Sequence, residues 1–144
     1  MPWQDYFWPD SDVLQNKLGI RDQAELDAAE HAMTQARQVQ IERGQVSIDE
    51  TLDAHQLRGL HRWLFQDVYS FAGEYRTVEL AKISRFAAVD QIEPCLDRAA
   101  DIIDTVRWDR IDDEQWSDRA AAVYGWVNYA HPFAKATGER RGYS

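Results

Sequence analysis

His131, Lys135, Gly138, Arg140 and Arg141 crowd into one segment, His131-Pro-Phe-Ala-Lys-Ala-Thr-Gly-Glu-Arg-Arg-Gly-Tyr-Ser144. An imidazole, a glycine turn and two adjacent guanidinium groups in so short a stretch are the parts of an anion-binding loop. Gly138 permits backbone conformations that turn successive N–H groups toward one anion. Arg140 or Arg141 can grip phosphate oxygens with a forked pair of donors. His131 admits three roles: a structural histidine bonding the last carbonyls of a helix, a general base, or one ligand of a metal. The metal reading is the poorest, because no second His or Cys stands at ligand spacing; His31, His55 and His61 are scattered over other segments and read as satisfied helix residues. A solvated basic tail is the plain alternative for the whole segment.

The rest of the chain makes that segment an electrostatic outlier. Over 144 residues the formal charge is −9, whereas Lys135, Arg140 and Arg141 stand against Glu139 alone in the tail. An acidic chain lacks the broad basic face that grips nucleic acid, but a local anion site is compatible with it. With 44% hydrophobic residues the chain can bury one core, so residues 1–144 read as a single domain. Cys95 is the only cysteine and excludes an internal disulfide; at helical spacing from Ala99 it reads as a buried structural thiol. No apolar run has the length of a membrane span or a secretory signal core, which places the expectation in the reducing cytoplasm.

Four helices must position the tail. Residues 1–21, dense in aromatics (Trp3, Tyr6, Phe7, Trp8) and broken by Pro2 and Pro9, predict an irregular arm packed on the domain. Asp22 and Glu25 have the form of a capping box, and Leu26, Ala29, Met33 and Ala36 carry a helix to about Ile41. Asp53 caps a second, with the stripe Leu57, Leu60, Leu64 and Val68, ending near Tyr69 ahead of Gly73. Residues 74–88 change character, and Tyr75, Thr77, Val78, Leu80 and Ile83 predict a short strand or hairpin-like flap. Ile92, Leu96, Ala99, Ile103 and Val106 mark a third helix, with Pro94 in its first turn or kinking it. Asp112, Asp113 and Glu114 suit the positive end of a fourth helix dipole, whose stripe is Trp116, Ala120, Val123, Val127 and Ala130. His131 follows at its end, and Pro132 disfavours a helical His131, making it the turning point into the tail. The predicted class is all-α with a small β element.

The tail resembles the Fic motif, His-Pro-Phe-x-Asp/Glu-Gly-Asn-Gly-Arg-x-x-Arg. Upstream, Asn16-Lys-Leu-Gly-Ile20 resembles the N-terminal signature of that family. His61-Arg-Trp-Leu-Phe-Gln-Asp-Val-Tyr-Ser-Phe-Ala-Gly-Glu-Tyr-Arg-Thr-Val78 resembles its second helix running into a target-docking flap. The resemblance implies a Fic-like helical bundle with a short β-hairpin flap and transfer of AMP from ATP to a hydroxyl of a target protein. On that pattern His131 is the base, Phe133 anchors the loop, and Lys135, Thr137, Gly138, Arg140 and Arg141 bind the nucleotide. Val78, Glu79 and Leu80 in the flap dock the target by adding a strand.

The departures predict impairment. Lys135 replaces the acid that binds the family's magnesium, and an ammonium cannot coordinate a cation. Ala136 and Thr137 replace Gly and Asn, Glu139 occupies the position of the first motif Arg, and Gly142 that of the second. Sliding the match so that Arg140 serves as that first Arg restores the charge and spoils the loop length. The motif reads as degenerate and truncated, with the helix that closes the family's core expected to be missing. No Ser/Thr-x-x-x-Glu-Gly/Asn hexapeptide, the family's silencing motif, occurs, so a separate antitoxin joins the target protein among the implied partners; a homodimer is the other way to cover a bare face. Beside the impaired adenylyltransferase stand two alternatives: an inactive Fic-fold binding module that docks a target or antitoxin, and a Doc-like phosphotransferase.

Overall fold

The computed structural model describes residues 3–79 and 86–134. Their elements are α1 (Trp3–Tyr6), α2 (Gln23–Glu42), α3 (Ala54–Phe65), a 3-10 turn (Val89–Gln91) that runs into α4 (Ile92–Thr105), and α5 (Asp113–Ala130). The class is all-α, as the sequence predicts.

Aspartates set the helix starts by accepting from orphan backbone donors. Asp22 accepts from Glu25 N–H at 3.0 Å and Asp53 from His55 N–H at 3.0 Å. The reciprocal capping box expected at Asp22 and Glu25 is formed instead at α5, where Asp112 accepts from Gln115 N–H and Gln115 Oε1 accepts from Asp112 N–H. Pro94 lies in the first turn of α4, where its missing N–H would have had no intrahelical partner. Cys95 is buried in the core, and that burial raises its thiol pKa.

α4 packs along α5, and α2 along α3. The second pair is fastened by a forked ion pair, Arg37 to Asp67 at 2.7 and 2.8 Å, with the guanidinium over the Trp63 ring. The arm is more ordered than its composition suggests. α1 leads into an antiparallel bridge between Phe7 and Leu14, and the buried Asn16 side chain donates to the carbonyls of Leu14 and Ile20 while accepting from Ile20 N–H. Tyr6, Phe7, Leu14 and Leu26 then share one core cluster with Val68, Tyr69 and Phe71. A second cluster joins Ala54, Ala87, Ile92, Cys95 and Leu96 to Ala130.

Three predicted features differ. α3 stops at Phe65, and Val68 and Tyr69 continue as a turn bonded back to the Phe65 carbonyl; Val68 is still fully buried. Trp116, placed on the core stripe, is 49% exposed and rests edge-on against Trp108, because α5 has α4 on one flank only among the described elements. Within 74–79 and 86–88 no strand forms. The backbone there bonds to the end of α5, Arg76 N–H to the Pro132 carbonyl and Ala87 N–H to the Tyr129 carbonyl, both at 2.7 Å. Leu80 lies outside the described residues.

Gly73 turns the chain from α3 into this segment with φ +80°, and a Cβ there would sit 2.7 Å from Arg62 Cβ and 3.0 Å from the Arg58 carbonyl. Neither atom can rotate away. Gly73→Ala should therefore destabilise the fold by about 2 kcal/mol or more, read as a lowered denaturant midpoint with unchanged slope.

Candidate functional site

The C-terminus of α5 leaves carbonyls that no following helical turn satisfies. Ala87 N–H takes that of Tyr129 at 2.7 Å, and Arg76 takes the next ones. Its Nη2 donates to Ala130 at 3.1 Å, its Nε to His131 at 2.7 Å, and its backbone N–H to Pro132 at 2.7 Å. Nη1 and Nη2 also donate to the carbonyls of Val78 and Ala87. Arg76 is 1% exposed, so a full positive charge sits inside the protein against the negative end of the α5 dipole.

This clamp fixes His131. Its N–H still closes the helix on Val127, while φ 40° and ψ 63° place it in the left-handed region. That conformation costs a side-chain-bearing residue about 1 to 2 kcal/mol. Two features hold it there: Pro132 excludes the right-handed alternative, and Arg76 grips the peptide carbonyls on either side. The imidazole lies tilted by 34° against Phe86 with ring centroids 4.4 Å apart, and it lines a cleft of about 470 Å³.

The other walls of the cleft come from α2, α3 and the middle of α5. Asp27 and Glu30 lie on one side, Tyr124 and Asn128 on another, and His61, Phe65, Tyr69 and Phe133 form an aromatic floor. Tyr69 donates to Glu30 at 2.5 Å, and burial together with that carboxylate drives its hydroxyl pKa above the usual tyrosine range. His61 lies between Phe133 at 3.9 Å and Phe65 at 4.5 Å, and its Nδ1 accepts from Gly73 N–H at 2.8 Å. Burial pushes its pKa down to about 4. It is a neutral imidazole.

Of the sequence-predicted site residues, the structure brings His131 and Phe133 to one cleft. Val78 is buried with its carbonyl committed to Arg76, whereas Glu79 is exposed and its Oε1 accepts from Val89 N–H. Lys135, Thr137, Gly138, Arg140 and Arg141 lie outside the described residues, as does Leu80. Sequence reasoning missed Arg76 altogether and gave His61 no part in the site. The spacing of His61, Phe65 and Tyr69 puts three rings on one helical face, which was the available signal for His61. Arg76 had none, since a basic residue among extended-chain formers reads as surface.

Residues 51–139, which include Arg76, His131 and Phe133, match the family described as Fic/DOC. The chain belongs to the Fic/DOC family. A protein adenylyltransferase of Bartonella schoenbuchensis, VbhT, is 34% identical over 135 residues, covering 92% of this chain and 28% of its own length. The probable protein adenylyltransferase Fic of Escherichia coli is 28% identical over 137 residues, covering 92% of this chain and 66% of its own. The chain thus spans less than a third of the first and about two thirds of the second. Among solved structures, the N-terminal Fic domain of a VirB-translocated Bep effector protein from Bartonella quintana, with bound ADP, aligns with a TM-score of 0.75 at 24% identity, covering 96% of this chain and 71% of that one. This likeness establishes the Fic fold. No helix among the described residues is long and apolar enough to cross a membrane.

Two outcomes follow from the clamp and the neutral imidazole. Arg76→Met leaves several buried carbonyls without a donor and should cost about 3 kcal/mol or more, roughly 10 °C in thermal midpoint, with Arg76→Lys intermediate. An unchanged midpoint would show that the clamp carries no stability. For His61, the unfolded chain takes up a proton near pH 6.5 that the fold refuses until about pH 4. Stability should then fall by about 3 kcal/mol as pH drops through that window, measured by isothermal denaturation, and His61→Phe should flatten the fall.

Proposed function

We propose that this Fic domain transfers AMP from ATP to a hydroxyl of a target protein, with His131 as the general base. The observation that carries the reading is the fixed placement of His131 at the end of α5, lining the cleft of about 470 Å³, in a chain of the Fic/DOC family. Relatives that carry the adenylyltransferase name, and a solved Fic domain holding ADP, support the same reaction class. In the reaction, the target oxygen attacks the α-phosphorus and His131 takes the hydroxyl proton. The bond from the α-phosphorus to the bridging oxygen breaks, and pyrophosphate leaves. Backbone donors near Gly138, with Lys135, Thr137, Arg140 and Arg141, supply the phosphate contacts in this reading, and Phe133 anchors their loop on the His61 ring. The flap around Val78, Glu79 and Leu80 receives the target; with the Val78 carbonyl taken by Arg76, docking falls to the residues after it.

A resident magnesium does not fit this donor set. The residue in the position of the metal-binding acid is Lys135, and among the described residues no cluster of three His, Cys, Asp or Glu stands together.

Lys135 and Glu139 favour a second reading, an inactive domain that keeps the fold to bind a target or an antitoxin. Incubation of the chain and a His131→Ala variant with α-labelled ATP, magnesium and a cell lysate separates the two. The expected outcome is labelled protein with the unaltered chain and a loss of roughly a hundredfold or more with the variant. Equal labelling would remove His131 from the mechanism; protein labelled only in a parallel incubation with γ-labelled ATP would mark a phosphotransferase, and absence of label from either ATP would favour the binding module.

A further inference from the structure

His61 presents one free edge, and the structure fixes which edge it is. Phe133 lies 3.9 Å from the imidazole at 14° and Phe65 lies 4.5 Å away at 29°. Two rings so close and so nearly parallel to a third cannot share one of its faces, so they cover opposite faces. Nδ1 is occupied by Gly73 N–H at 2.8 Å. His61 nevertheless lines the cleft, which leaves the Nε2 edge as the part that does so. Because Nδ1 accepts, the ring proton resides on Nε2. Among the described residues no carbonyl or side chain accepts it, although Nδ1 and both faces are fully engaged.

We propose that His61 is a binding residue of the His131 cleft, donating from Nε2–H to an acceptor atom of the nucleotide. The proposal rests on the nucleotide-transfer reading above and adds a group that the tail motif does not contain. A neutral N–H held on three sides is preorganised: it loses little rotamer entropy on binding and keeps its proton at every pH at which the fold is stable. The same ring ties ligand to loop, since its Phe133 neighbour lies two positions beyond His131.

Nitrogen-detected imidazole spectra of the whole 144-residue chain, recorded with and without AMPPNP, test this directly. The expected result is a His61 in the Nε2–H form whose Nε2 signal moves on saturation and whose proton exchanges more slowly with water. Calorimetric titration of AMPPNP into two variants supplies a second arm. In His61→Gln the amide nitrogen falls near the Nε2 position, whereas in His61→Asn the amide oxygen falls near Nδ1 and preserves only the Gly73 contact. His61→Asn should weaken binding roughly tenfold and His61→Gln by roughly threefold or less, the difference being that of one hydrogen bond. An unmoved Nε2 signal at saturation, or equal weakening in two folded variants, overturns the assignment while leaving nucleotide binding intact. Should both variants unfold, the spectra of the unaltered chain decide alone. An unaltered chain that binds no AMPPNP overturns the nucleotide reading and this assignment together.

Discussion

Everything about the site depends on a buried guanidinium that ends a helix. Many helices close with a glycine whose flexible backbone lets the chain turn away, and the last carbonyls then find a local N–H or water. α5 closes with a histidine in the left-handed conformation, and its last carbonyls find Arg76, with 1% of its surface exposed. A buried cation is tolerated only where its hydrogen bonds are met, and here the partners are peptide oxygens at the negative end of a helix dipole. The bonds from Nε to His131 and from Nη2 to Ala130 run from the segment after Gly73 to the turn at His131, at sequence separations of 55 and 54. Arg76 and Ala87 consequently tie the described parts of this segment to the turn that carries His131.

A second unit stands beside it. Tyr69, Phe65, His61 and Phe133 form a run of rings from the first core cluster to the residue two places past His131. Gly73 links the two units, because its N–H meets His61, its carbonyl accepts from Arg58 Nε at 2.9 Å, and its turn delivers the chain to Arg76. A change at Gly73 would therefore reach His131 by both routes, through the ring stack and through the clamp. Backbone conformation at one glycine is coupled in this way to the position of His131 on another element.

The parts legible in the sequence are those governed by near neighbours. Asp22, Asp53 and Asp112 mark helix starts because capping is a contact over a few residues, and Pro132 marks the end of α5 because proline restricts the residue before it. His131 was legible as a turning point for the same reason. The absence of a strand at 74–79 was not legible, since Tyr75, Thr77 and Val78 have strand propensity and only the distant carbonyls of α5 claim the backbone. Arg76 and the Nε2 edge of His61 were hidden for a related reason. Each is defined by what covers it, and part of that cover, Phe133 for His61 and the carbonyls of Ala130 and His131 for Arg76, lies far along the chain. The exposure of Trp116 belongs to the same class: a helical stripe shows which face is apolar and leaves open whether a neighbour meets it.

Burial along α5 explains why the clamp falls where it does. The helix that carries His131 has only Ala130 buried, while Trp116, Tyr124 and Tyr129 remain 49%, 71% and 43% exposed. Hydrophobic packing thus holds the helix weakly over most of its length, and its N-terminus is secured by the Asp112 and Gln115 box and the Trp108 contact. The general base proposed at His131 must be held to a fraction of an ångström, and partial burial of a long helix does not deliver that. Fixed hydrogen bonds at the final turn do, because they constrain the peptides next to His131 whatever the rest of the helix does. The constraint on this turn is therefore local, supplied by Arg76 and Ala87 at the end of α5 that carries His131.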